Sequence, residues 1–104
     1  MDQRNIVLAT LQEGAPVGYL IAHQFPSLSG DRLVYLYDIE VSPEKRRLGI
    51  GTALVTKLKE VCREQGVDSI WVGSSRNNQA ACALWESTGA ERESDQYVEF
   101  TYEL

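Results

Sequence analysis

Hydrophobic and polar positions divide the chain into strand-like and helix-like segments. Apolar segments rich in β-branched and aromatic residues occupy positions 5–11, 17–24 and 33–41, with glycine, proline and serine in the breaks between them. A short apolar segment follows at 69–73, and residues 96–104 alternate between polar and apolar side chains. These patterns predict five strands, of which the last is half buried.

Two further segments have helical spacing. Apolar side chains recur every three or four positions through residues 49–65, opposite a face of lysine and glutamate, and Gly66 follows as a stop. A second helix is predicted between Asn78, a suitable N-cap, and Gly89. The order of strand, strand, strand, helix, strand, helix, strand predicts an α/β (α+β) fold, with a mixed sheet and helices packed on it.

Composition narrows the class of protein. A length of 104 residues predicts one domain over residues 1–104, with Trp71 and Phe100 in its core. The net charge of −5 argues against nucleic acid as a partner, and no apolar run has the length of a membrane span, so we expect a cytoplasmic protein. Cys62 and Cys82 fall in predicted helices, which predicts reduced thiols. These two cysteines and the single histidine, His23, lie far apart in sequence, so we expect no metal site.

The junction between the third strand and the first helix carries the candidate chemistry. A basic loop with Arg46 and Arg47 leads to Gly49 and Gly51, which open the helix. The first turn of a helix has unpaired N–H groups and a partial positive charge, so it suits an anion such as phosphate. The NTPase P-loop ending and the three-glycine dinucleotide fingerprint are both absent. Taken alone, the segment is equally consistent with a phosphate site and with a basic loop that simply precedes a glycine-rich helix start.

The surrounding residues resemble the GNAT superfamily of N-acetyltransferases. Its cofactor motif, Gln/Arg-x-x-Gly-x-Gly/Ala, is matched by Arg46, Gly49 and Gly51, and residues 39–44 are similar to the strand and proline-containing loop that precede it. A second family motif, an asparagine-led helix, is matched at four positions: Asn78, Ala81, Leu84 and Gly89.

Two positions depart from that second motif, and a shorter segment resembles one group within the superfamily. Trp85 stands where tyrosine is usual, and Ala90 stands where phenylalanine is usual. Residues 35–41, followed by two arginines, look most similar to the aminoglycoside 3-N-acetyltransferases.

The resemblance implies that acetyl passes directly from acetyl-CoA to an amine, on a mainly antiparallel sheet with a splayed strand pair and two flanking helices. By resemblance, main-chain groups of Ile39 and Val41 pair with the pantetheine arm, and the Val41 amide polarises the thioester carbonyl. Asn78 and Trp85 then lie beside the cofactor. The residues implied to hold the pyrophosphate are Arg46, Arg47, Leu48, Gly49, Ile50, Gly51 and Thr52.

A protonated amine must lose a proton before it attacks, and a nearby carboxylate is a suitable base. Asp38 is our first candidate and Glu40 our second, because both lie on one face of the third strand. Either one is alternatively a surface carboxylate or a salt-bridge partner. Trp85 cannot supply the acid that the family's tyrosine provides, so the general acid is unassigned, with Tyr97 and Tyr102 as loose candidates.

A GNAT domain usually begins with a strand and two helices before the first hairpin, and here the hairpin starts almost at Met1. We therefore expect a fold truncated at its N-terminus, with exposed sheet surface that favours a homodimer. The predicted function is acetylation of a primary amine on a small cationic substrate such as an aminoglycoside. The alternatives are a CoA-binding module without transferase activity and a peptide or protein N-acetyltransferase.

Overall fold

The computed structural model describes residues 4–26, 29–93 and 100–104. The order of elements predicted through the second helix is confirmed, and a single 3-10 turn, Pro43–Lys45, lies between the third strand and the first helix. The strands and helices are β1 Asn5–Gln12, β2 Ala15–Pro26, β3 Arg32–Val41, α1 Ile50–Glu64, β4 Ser69–Trp71 and α2 Gln79–Ser87.

The sheet is mixed and mainly antiparallel, as predicted. Its order is β1-β2-β3-β4, with antiparallel pairing between the first three strands and parallel pairing between β3 and β4. The pairing of β3 with β4 stops at Tyr35↔Trp71, whereas β3 continues to Val41. The last part of β3 therefore runs beyond its neighbour, which is the splayed arrangement expected from the family resemblance.

Helix α1 covers one face of this sheet, here called the inner face. The helix contacts β1, β2 and β3, and Leu20, Val34 and Leu58 are completely buried between the two layers. Burial of such side chains is the main source of stability in a domain of this size. The other buried apolar residues are Ile6, Ala22, Leu36, Leu54, Val55 and Cys62.

A glycine in β2 allows the first turn of α1 to approach the sheet. A Cβ atom added to Gly18 would lie 2.9 Å from Cγ2 of Ile50 and 3.3 Å from the carbonyl oxygen of Glu40. The first distance is shorter than a carbon–carbon contact at optimal separation. The absence of a side chain at Gly18 therefore sets the position of the α1 start against β3.

The chain divides into two compact units, Met1–Gly73 and Ser74–Leu104. The first contains the sheet and α1, and the second contains α2. The single domain expected over residues 1–104 stays a prediction. Among the residues that the structure describes, no helix is long and apolar enough to cross a membrane.

Three expectations about packing and the last strand need correction or fall outside the described residues. Trp71 is 57% exposed, because it pairs with Tyr35 on the sheet face opposite α1. Phe100 is 86% exposed, and residues 100–104 are not in a strand, so the alternation that predicted burial does not apply there. The rest of that predicted strand, residues 96–99, lies outside the described residues.

Candidate functional site

A β-bulge in β3 determines where the candidate base points. Ala22 of β2 pairs with Leu36, and the preceding residue Ile21 pairs with Asp38, so Tyr37 is an extra residue in β3. Strict alternation would place Asp38 on the inner face with Leu36. The bulge instead moves Asp38 to the opposite face, here called the outer face.

Asp38 and Glu40 share the outer face, and one of them has a defined partner there. Tyr19 pairs directly with Glu40 across the strands, but its hydroxyl donates a hydrogen bond to Oδ2 of Asp38 at 2.9 Å. Among the described residues, no hydrogen bond to the Glu40 carboxylate occurs. The structure thus distinguishes the two candidate carboxylates, because only Asp38 is held in one orientation.

The hydrogen bond also affects the tyrosine. It raises the pKa of Tyr19 above the ordinary value of 10.0, with smaller contributions from desolvation and from the negative charges of Asp38 and Glu40. The Tyr19 hydroxyl therefore keeps its proton, and remains a donor, throughout the neutral pH range.

The splayed edge of β3 presents main-chain groups next to these carboxylates. The N–H of Ser42 donates to the carbonyl of Val17 on β2 at 2.9 Å. Because successive N–H groups of a strand point to opposite sides, those of Ile39 and Val41 point to the other edge. In the described sheet, β4 pairs only with residues 33–35 of β3. In the described sheet, β4 thus leaves the edge at Ile39 and Val41 unpaired, and the pairing of that edge with an extended ligand stays a prediction.

The loop that follows folds back on the end of β3. Nε of Arg46 donates to the carbonyl oxygen of Val41 at 3.3 Å, so this arginine contacts the strand in addition to any role with phosphate. Arg47 has a left-handed backbone, with φ 66°, which costs about 1–2 kcal/mol in a residue with a side chain. Leu48 is 67% exposed. Backbone strain of this kind is concentrated at ligand-binding segments.

The start of α1 has the properties of an anion site. Gly49 is the N-cap residue, with φ 82°, and no side chain caps the helix. The first turn contains no acidic residue, so nothing in that turn neutralises its partial positive charge. A Cβ atom added to Gly49 would meet nothing within 4 Å. No side-chain cap and no first-turn carboxylate thus compete with an anion for the amides of Ile50, Gly51 and Thr52, and a phosphate group at these amides stays a prediction.

Two predicted cofactor contacts lie in the second unit. Oδ1 of Asn78 accepts a hydrogen bond from the Ala81 amide at 3.1 Å, which confirms the predicted N-cap of α2. Nε1 of Trp85 donates to Oγ of Ser74 at 2.8 Å. Both side chains thus have local structural roles, and their contact with a cofactor stays a prediction.

The general acid stays unassigned. Tyr97 lies outside the described residues, and Tyr102 is 92% exposed in a segment without a strand. Sequence reasoning did not single out Tyr19, because its partner is fixed by the register of β2 on β3 and by the bulge. The one signal in the sequence was the alternation along β2, which places the Tyr19 side chain on the exposed face of that strand.

The family of the chain is shown by its match to a protein-family model. The family model described as "Acetyltransferase (GNAT) family" matches residues 1–90, a range that includes the β3–α1 junction and α2. The chain belongs to the GNAT family. The resemblance based on the two motifs is therefore confirmed, and GNAT acetyltransferases use acetyl-CoA.

Curated GNAT relatives match parts of the chain and are named for different amines. Thialysine N-epsilon-acetyltransferase of Mus musculus is 34% identical over 89 residues, which are 84% of this chain and 52% of the relative. The [ribosomal protein bS18]-alanine N-acetyltransferase of Escherichia coli (strain K12) is 39% identical over 54 residues, or 52% of this chain and 36% of the relative. The chain thus matches only part of the length of these two relatives.

Solved GNAT structures match more of the chain. An aminoglycoside acetyltransferase from an uncultured soil metagenomic sample, crystallised in complex with sisomicin, superimposes with a TM-score of 0.91 at 28% identity. The match covers 99% of this chain and 68% of that structure. The predicted GNAT fold is therefore confirmed.

Proposed function

We propose that this chain is the acetyl-CoA-binding core of an N-acetyltransferase that acetylates a primary amine of a small cationic substrate. One observation carries the proposal: the edge of β3 at Ile39 and Val41, which β4 does not pair, leads through residues 42–49 to the uncapped start of α1. An extended arm and a diphosphate, joined in one ligand, fit these two adjacent features. GNAT acetyltransferases use acetyl-CoA, and membership of the family supports acetyl-CoA as that ligand.

In this proposal the chain holds acetyl-CoA mainly through its backbone. Amides from Arg46 to Thr52, a range that contains Arg47, Leu48, Gly49, Ile50 and Gly51, hold the pyrophosphate. Main-chain groups of Ile39 and Val41 pair with the pantetheine arm, and the Val41 amide donates to the thioester carbonyl as an oxyanion donor does. Bound acetyl-CoA supplies an activated acetyl group.

Asp38 is the proposed base, and Glu40 is the second candidate. A carboxylate on the outer face accepts a proton from the substrate ammonium, which leaves a neutral amine able to attack. The hydrogen bond from Tyr19 favours Asp38, because an oriented carboxylate loses less freedom when it accepts that proton. The charge of this face suits a cationic amine, and the sisomicin complex of the soil protein supports an aminoglycoside.

The finer sequence-based expectations belong to the same proposal. Asn78 and Trp85 contact the cofactor, the protein is cytoplasmic, and two chains form a homodimer. Exposed apolar side chains of the sheet support the dimer: Val7, Tyr37 and Trp71 are at least half exposed. Sedimentation at micromolar concentration tests the dimer, and a clean monomer would refute it.

A CoA-binding module without transferase activity is the second candidate. The hydrogen bond from Trp85 to Ser74 favours it, because the residue in place of the family tyrosine is an indole already engaged as a donor. A peptide or protein N-acetyltransferase is the third, in view of the ribosomal-protein relative.

An acetyl-transfer assay separates the three. Release of CoA thiol is measured with acetyl-CoA and one of three amines: sisomicin, thialysine or a peptide with N-terminal alanine. Turnover with sisomicin or thialysine supports the proposal, turnover with the peptide alone supports the third candidate, and acetyl-CoA binding without turnover supports the second.

Asp38→Asn tests the proposed base in the same assay. We expect turnover to fall by about 10²–10⁴-fold, the usual contribution of a general base, while acetyl-CoA affinity is retained. Glu40→Gln is the matched control on the same strand face, and the proposal expects a smaller effect there. Unchanged turnover in Asp38→Asn would exclude Asp38 as the base.

A further inference from the structure

A tyrosine outside the predicted site makes a side-chain contact with the proposed base. Tyr19 lies on β2 opposite Glu40, yet its hydroxyl reaches across to Oδ2 of Asp38 at 2.9 Å. The contact depends on the bulge, because without the extra residue Asp38 would lie on the inner face. Two unrelated features, a register shift and a tyrosine, thus combine to fix one carboxylate.

The geometry assigns each carboxylate oxygen a different task. Oδ2 of Asp38 accepts the Tyr19 hydrogen, so Oδ1 is the oxygen left to accept a proton from a substrate. A hydroxyl that donates to a carboxylate makes a charge-assisted hydrogen bond, one of the stronger types in proteins. The bond fixes the carboxylate rotamer, which suits a base that must receive a proton from one direction.

We propose that Tyr19 is a positioning residue of the acetyl transfer, holding Oδ2 of Asp38 so that Oδ1 faces the incoming ammonium group. The inference rests on the proposed function. Tyr19 itself neither gives up nor accepts a proton during the reaction. The amine proton passes to Oδ1 of Asp38, and the bond from the Tyr19 hydroxyl to Oδ2 stays in place throughout.

Exposure argues that the hydroxyl has a role other than holding the fold together. Tyr19 is 37% exposed, and it is not among the buried core residues. A hydrogen bond at such a site adds little to folding, because water competes for both partners. Its pairing with a candidate base is therefore better explained by orientation of that base.

Tyr19→Phe removes only the hydroxyl and tests the inference. We expect kcat with sisomicin or thialysine to fall roughly tenfold, since one charge-assisted hydrogen bond is lost, while the KM for acetyl-CoA is unchanged. Tyr37→Phe is the matched control, because Tyr37 is 66% exposed and its ring contacts His23 edge-on rather than Asp38. It should change kcat by less than about twofold.

A double-mutant cycle with Asp38→Asn separates positioning from a structural role. If Tyr19 acts through Asp38, Tyr19→Phe causes no further loss once the carboxylate is gone. An equal loss in both backgrounds, or unchanged kcat in the single variant, would overturn the inference while the proposed function stands. A wild-type chain inactive with every amine would refute the proposed function, and the inference with it.

Tyrosinate absorbance tests the contact independently of turnover. The carboxylate raises the pKa of Tyr19, so Asp38→Asn should lower the pH at which one tyrosine ionises. That transition should be missing in Tyr19→Phe and present in Tyr37→Phe. Identical titration curves for wild type and Asp38→Asn would show that the hydrogen bond does not form in solution, which overturns the inference.

Discussion

Gly18→Ala tests the packing that places the α1 start beside β3. The added Cβ atom would lie 2.9 Å from Cγ2 of Ile50, 3.3 Å from the carbonyl oxygen of Glu40 and 3.5 Å from Cδ1 of Leu54. The first contact is too short, so the atoms on one side of it must move. Ile50 lies at the start of α1, and Glu40 lies in β3, the strand that carries the candidate site. Relief therefore moves parts of the candidate acetyl-CoA site.

The magnitude follows from two opposing effects. Overpacking of a well-packed site costs about 1–3 kcal/mol, and replacing glycine by alanine recovers about 0.4–1 kcal/mol from the unfolded state. We expect a net loss of about 1–2 kcal/mol in the free energy of unfolding. For a chain of this length, each kcal/mol lowers Tm by roughly 4–8 °C.

Thermal unfolding followed by circular dichroism measures the loss of stability. Calorimetry measures the affinity for acetyl-CoA, which should weaken as well. Gly73→Ala is the matched control, because its added Cβ would make only an ordinary contact, 3.5 Å from the Tyr35 hydroxyl. Adding Ile50→Ala to Gly18→Ala removes the closest contact, so the two losses should be less than additive. A Tm for Gly18→Ala equal to or above that of wild type would refute the described packing of α1.

Two further predictions concern thiol reactivity and helix capping. Burial raises the pKa of the Cys62 thiol, and thiolate is the reactive form, so in the folded chain a thiol reagent at pH 8 should modify Cys82 first and Cys62 only on unfolding. Equal rates for both would contradict this. Asn78→Ala removes the cap on the Ala81 amide and should cost about 1 kcal/mol in urea unfolding, whereas Asn77→Ala should cost much less; equal losses would rule out the cap.

The helix and strand pattern could be predicted from sequence because local signals agree with the fold. The apolar spacing that predicted a helix over residues 49–65 reflects burial of Leu54, Leu58 and Cys62 against the sheet. Gly66, expected to end this helix, has φ 75°, the left-handed conformation that glycine adopts without strain. Hydrophobic period and stop signals depend on neighbouring residues, so a single sequence suffices to detect them.

Packing and side-chain partners could not be predicted in the same way. Trp71 was expected in the core, but a short apolar strand does not reveal which of its faces a helix covers. The bulge at Tyr37 shifts the register of β3 on β2, and no residue type in the sequence indicates a bulge at this position. The bond between Tyr19 and Asp38 depends on that register, so it became visible only in three dimensions.

At the β3–α1 junction, too, the motif could be predicted from sequence and the side-chain contact could not. The glycines and arginines of the β3–α1 junction were visible as a motif, and their identification with the GNAT family was correct. The contact from Arg46 to the Val41 carbonyl was not visible, because it depends on how the loop folds back on the strand. Motifs thus pointed to a candidate site, and tertiary contacts such as this one determine which of its main-chain groups already have a partner.

Calorimetric titration of acetyl-CoA into wild type, Gly49→Trp and Gly14→Trp tests the central claim most directly. Both glycines have φ near +82°, and an added Cβ meets nothing within 4 Å at either one, so the two variants share backbone strain and bulk. The account predicts that Gly49→Trp weakens binding at least roughly tenfold, because even one lost charge-assisted hydrogen bond has that effect, while Gly14→Trp binds as wild type does. Equal affinity in Gly49→Trp and wild type would contradict it.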